Sequence, residues 1–60
     1  MTKHQRITLI ASALDKYRDD RERAIAVATR LFYGGFSGLG RQMAHIAAKA
    51  AYESSWGRNA

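Results

Sequence analysis

An all-α fold follows from three features of this sequence. The chain has no proline and is rich in alanine, leucine, arginine and glutamine, which favour helix, while the clustered β-branched residues that strands prefer are scarce. Ile7, Ile10, Leu14, Tyr17, Ala24, Ala28 and Leu31 follow alternating steps of three and four, a stripe down one side of a helix. Finally, the stretch from Leu31 to Gly40 holds four of the five glycines and both phenylalanines, so the helical pattern is interrupted in one place.

The first element opens at Thr2, which with Gln5 three positions later matches a capping box. Its stripe is widened by Ala11, Ile25 and Phe32 on one side and by Ala13 and Val27 on the other, more than a two-stranded seam requires. Arg21 stands where the next apolar residue belongs, inside the charged run Tyr17 to Arg23. Because the apolar phase is the same on both sides of that run, the pattern predicts one helix over about 3–33. The alternative is a three-helix bundle with a break near 19–20, where Asp19 or Asp20 caps a new helix. Pairs such as Asp19 with Arg23 would add about 0.2 to 0.5 kcal/mol each.

Glycine takes positive φ at low cost, so Gly34 or Gly35 suits a helix end, and Ser37 suits the cap of the next helix. A glycine-rich turn at 34–37 then leads to a second helix over about 38–55, with Phe36 closing the bundle end. On that helix Leu39, Met43, Ile46 and Ala50 share the face expected to oppose the first helix, and Ala44, Ala47 and Ala51 form a small-residue flank. Arg41, His45, Lys49, Tyr52 and Trp56 fall on a face nearly opposite the core.

Sixty residues make one small domain, which buries only about 60% of the surface its unfolded chain exposes. With no cysteine, disulfides and thiolate metal sites are excluded, and self-association is the expected support. The fold expected is therefore a helical hairpin that dimerises into a four-helix bundle. Its core and dimer interface comprise Ile7, Ile10, Leu14, Tyr17, Ile25, Leu31, Phe32, Leu39, Met43 and Ile46. The N-terminus lacks the continuous apolar core of a signal peptide, and no apolar run is long enough for a membrane span, which points to a cytoplasmic protein without membrane insertion.

Ten lysines and arginines against five aspartates and glutamates give a formal charge of +5, which favours polyanions or acidic protein surfaces as partners. No enzymatic role, catalytic residue, metal site or cofactor is expected. Gly35 to Gly40 lacks the lysine and hydroxyl that end a phosphate loop and follows a helix where such loops follow a strand. A helix-turn-helix alignment on Gly34 or Gly35 puts Gly40 or Arg41 where a buried apolar residue is needed. His4 and His45 are too far apart in sequence for a helical metal pair, and the serines have no ordered base nearby. A membrane-surface helix would separate its cations from its aromatics, whereas here they share a face.

Size, alanine and arginine content and the lack of cysteine make the chain resemble small accessory proteins of bacteriophages and other bacterial mobile elements. That resemblance carries over no functional residue, and what it implies is a bacterial cytoplasmic setting. The function expected is a non-enzymatic regulator that binds a host or partner protein as a homodimer. The alternative is a nucleic-acid binder using Arg41, His45, Lys49, Tyr52 and Trp56, with cations on phosphates and rings stacked on bases.

Overall fold

Thr2 starts the first helix as its sequence demands. Its hydroxyl accepts from the Gln5 backbone N–H at 3.1 Å while the Gln5 side chain accepts from the Thr2 N–H at 2.9 Å, so two orphan donors are satisfied reciprocally. The computed structural model describes residues 2–36 and 38–56, and among them the chain forms three helices: α1 (Lys3–Lys16), α2 (Arg21–Gly35) and α3 (Arg41–Ser55).

The expected single helix over 3–33 is therefore two, and the fold is a three-helix bundle rather than a hairpin. The break lies in the charged run. Asp20 caps α2 by accepting from the Arg23 N–H at 3.2 Å, and its carboxylate stands 3.7 Å from the Arg23 guanidinium, in place of the expected pair between Asp19 and Arg23. Shared apolar phase did not discriminate, because a tight reversal can present the same stripe from both arms of the hairpin it creates. Asp20→Ala is expected to cost about 1 kcal/mol. For so short a chain that lowers the thermal midpoint by about 4–8 °C, readable by circular dichroism.

The second reversal also differs in detail. Gly34 and Gly35 belong to the last turn of α2, and among the described residues the one with positive φ is Gly38, at 79°. Gly35 serves another purpose: a Cβ there would collide with the Arg6 side chain, which crosses from the start of α1 to the end of α2. The helix expected to begin near 38 is α3, which begins at Arg41 with Gly40 at its N-cap. The expected cap, Ser37, lies outside the described residues. Phe32 and Phe36 pack ring to ring at 5.7 Å against the core, closing this end of the bundle as expected.

α2 is the middle of the bundle, packed against α1 on one side and α3 on the other. Among the described residues the side chains with no exposure are all alanines, Ala24 and Ala28 on α2 and Ala44 and Ala48 on α3, each at 0%. Small side chains in both helices let the two backbones approach closely. Around this seam Ile10, Leu14, Ile25 and Tyr52 complete one core cluster, with Tyr17, Leu31, Phe32 and Trp56 partly buried against it.

Three expected core residues are not in the core: Ile7, Met43 and Ile46 are 51%, 55% and 51% exposed, and Leu39 is only half-buried. On α3 the inward face is that of Ala44, Ala48 and Tyr52, close to half a turn from the Leu39, Met43, Ile46 and Ala50 face. Two forces outweigh the larger aliphatics. An alanine seam brings α3 into contact along its length, and Tyr52 and Trp56 together cover more apolar area than Met43 and Ile46 would.

Those two rings also answer a hydrogen-bonding need at the end of α1, where the last carbonyls have no partner within the helix. Ala13 and Asp15 carbonyls accept from the Tyr17 and Arg18 N–H groups of the turn. The Leu14 carbonyl accepts from the Trp56 indole at 3.1 Å, and the Arg18 carbonyl accepts from the Tyr52 hydroxyl at 2.6 Å. The Arg18 guanidinium lies over the Trp56 ring, 4.3 Å from its centroid. The C-terminal turn of α3 thus caps α1 with side chains about forty residues away.

Candidate binding groove

On the outer side of the α2–α3 contact, the two helices leave an open groove of about 450 Å³. α2 supplies Arg21, Glu22, Ile25, Ala26, Thr29 and Arg30 to its lining, and α3 supplies His45 and Lys49. The α2 residues run from Arg21 to Arg30, nearly three turns of the helix. Ile25 is the link to the interior: it is 6% exposed and belongs to the core, yet it also contributes to the groove lining. Thr29 is held by its own helix, its hydroxyl donating to the Ile25 carbonyl at 2.6 Å, so its methyl is set toward a fixed direction.

The antiparallel run of α2 and α3 decides which charges meet. At one end the Arg21 guanidinium donates to the Glu53 carboxylate at 3.0 Å, closing that end with an ion pair between half-exposed side chains. Arg21 thus pairs within its own chain. Further along, Lys49 and then His45 face Glu22, Ile25, Ala26, Thr29 and Arg30. Beyond the groove, the Arg41 guanidinium sits 5.8 Å from the centroid of the half-exposed Tyr33 ring. Among the described residues Arg30 and Lys49 make no ion pair, so their cationic groups outnumber the one lining carboxylate that remains, Glu22.

Arg41, His45 and Lys49 form an exposed row on α3, one turn and about 6 Å apart. The expected face keeps this half and loses the other. Tyr52 is 7% exposed with its hydroxyl bonded to Arg18, and Trp56 is half-buried with its indole bonded to Leu14. Neither ring is presented for stacking, so these two are structural residues, a correction to the expected contact face. The reason is rotational: α3 turns its aromatics inward, and its basic row becomes the flank beside α2 rather than the side opposite the core.

Arg30, Thr29, Ile25 and Glu22 were not legible as site residues in the sequence. They become neighbours of His45 and Lys49 only because α2 ends near Gly35 and returns through a short loop. The opposite charges of Arg21 and Glu53 were the one available hint of that register, and only once the break before Arg21 is known.

The groove offers a chemistry of binding: an apolar floor at Ile25 and Ala26, rimmed by guanidinium, ammonium and imidazole donors. Among the described residues no three histidine, aspartate or glutamate side chains stand close enough to hold a metal ion. No helix among them is long and apolar enough to cross a membrane. In comparisons with protein-family models, curated proteins and solved structures, the chain matches none of them.

Proposed function

We propose that the protein is a small cytoplasmic, non-enzymatic regulatory or accessory module that takes an acidic segment of a partner protein into the α2–α3 groove. The observation that carries this reading is the pairing of an apolar floor, Ile25 and Ala26, with the cations Arg30 and Lys49 and the donor His45 on its rim. An amphipathic helix with one or two aliphatic side chains flanked by carboxylates matches both parts: apolar area in the floor, charge-assisted hydrogen bonds at the rim.

A nucleic acid is a weaker match for the same groove. Arg41, His45 and Lys49 would suit phosphates, but the two rings expected to stack on bases are engaged in the fold, and Glu22 would face a phosphate. Protein partners are also favoured by the apolar floor, which a phosphate backbone leaves unfilled.

Fluorescence anisotropy tests the reading with a labelled helical peptide of about 16 residues bearing leucines one turn apart among glutamates, enough to span the groove. The wild-type protein is expected to bind it, and Arg30→Glu with Lys49→Glu to weaken binding roughly tenfold or more. A peptide with lysines in place of the glutamates is expected not to bind. Tighter binding of a single-stranded or duplex oligonucleotide than of the acidic peptide, with steep loss on adding salt, would overturn the proposal in favour of nucleic acid.

A further inference from the structure

The outer face of α3 carries an apolar seam that neither the core nor the groove uses. Met43 and Ile46 are 55% and 51% exposed, and with Ala50 they repeat at steps of three and four along α3, the spacing of a two-helix seam, while the half-buried Leu39 precedes the helix. The residues on this face of α3, Met43, Ile46, Ala47, Ala50 and Ser54, are all uncharged, although the chain as a whole carries +5. Arg41 and Lys49 lie on the groove flank, and Glu53 is tied to Arg21.

We infer that this seam is the contact between two copies of the chain, which pair antiparallel through α3 about a two-fold axis near Ile46 and Ala47. The seam is complementary to itself in that orientation and in no other. Antiparallel pairing sets the long Met43 of one copy against the small Ala50 of the second, and Ile46 against Ala47, so bulk meets space at each level. Parallel pairing would set Met43 on Met43 and Ala50 on Ala50, crowding one level and emptying another. Small residues at alternate levels also permit the short interaxial distance, about 8 Å, of closely packed helices.

Electrostatics select the occupant as well. Two copies that each carry +5 repel, and an uncharged strip is where they can meet without opposing like charges. An acidic partner gains nothing from that strip and is drawn to the groove instead. Because the groove lies on the other flank of α3, the pair leaves both grooves open. A partner with two acidic segments would then bind with avidity.

Size sets the expected strength. α3 has 15 residues and is about 22 Å long, so a seam on it alone falls short of the roughly 800 Å² per partner of a standard interface. The pair should therefore be a reversible dimer with a dissociation constant in the range of about ten to several hundred micromolar.

Sedimentation equilibrium over about 5 µM to 1 mM tests it, since a reversible dimer follows mass action. The expected result is a rise from the 6.7 kDa chain mass to twice that value. Ile46→Glu and Met43→Glu are each expected to raise the dissociation constant at least tenfold while leaving the helical circular dichroism unchanged, because both side chains stand outside the core. Leu9→Glu, at an exposed aliphatic on α1, is expected to dimerise like the wild type. A single chain mass throughout overturns the inference. So does an undiminished dimer in both α3 variants, or loss of the dimer in Leu9→Glu. Loss of helix in both α3 variants overturns it too, since that would make Met43 and Ile46 part of the fold. The peptide titration of the groove is independent of every one of these outcomes.

Discussion

Trp56→Ala is expected to lower stability by about 3 kcal/mol, the lower end for losing a large aromatic, since the ring is only half-buried. For a bundle of this size that is a large share of the total, and the variant should be substantially unfolded at 37 °C. The loss has three parts. Apolar area is uncovered where α3 meets the end of α1, the Leu14 carbonyl loses its donor, and the Arg18 guanidinium loses the ring beneath it. Trp56→Phe separates them: it keeps most of the area and removes the indole N–H, for about 1 kcal/mol. Tyr52→Phe should cost a similar amount by removing the donor to the Arg18 carbonyl. Urea denaturation followed by circular dichroism measures all three. A change within about 0.5 kcal/mol for Trp56→Ala would mean an ordinary surface ring, and the capping of α1 by α3 would be wrong.

Ala28→Leu is expected to cost about 2 kcal/mol or more by overpacking the seam between α2 and α3. Ala28 has no exposure, and across the seam Ala44 and Ala48 also have none, so three added heavy atoms must push the helices apart. Separation would then draw Tyr52 away from the Arg18 carbonyl, coupling the seam to the end of α1. Ala11→Leu, at an exposed position on α1, makes the same chemical change and should stay within about 0.5 kcal/mol. Thermal melts of the two variants side by side decide the matter. Equal midpoints would mean that alanine at 28 is incidental.

These two experiments bear on the places where reading from the sequence and the folded chain part company. Sequence periodicity correctly picks out Ile10, Leu14 and Ile25 as buried, because each stands on a stripe supported by neighbours on both sides. It sets Met43 and Ile46 against the first helix, where the fold leaves them outside the core of the chain, because hydrophobic size is the only criterion it has, and on α3 the competing face is made of alanines. An alanine face looks poor when each side chain is considered singly. It gains its value from the distance to the helix opposite, which depends on Ala24 and Ala28 being small as well.

The same limit governs the groove. His45 and Lys49 are visible as a basic row in the sequence, and they remain exposed in the fold. Arg30 and the floor at Ile25 and Ala26 are not, because their nearness to that row depends on a reversal at 17–20 and a second one at 36–40. Aromatic residues beside cations look like a stacking surface when only their helix is considered. With α1 present, the nearest unsatisfied acceptors are the Leu14 and Arg18 carbonyls, and the rings serve those.

By itself the sequence determined that this chain is helical, where its first helix begins, and that it reverses between Leu31 and Gly40. Those properties are local: Thr2 and Gln5 cap the start, alanine favours the helix, and the glycines release the chain from it. Only the tertiary structure decided that the charged run is a second reversal, and which side of α3 faces inward. Both depend on contacts between residues far apart in sequence: alanine against alanine across α2 and α3, and the donors of Tyr52 and Trp56 against carbonyls in the turn after α1 and at its end.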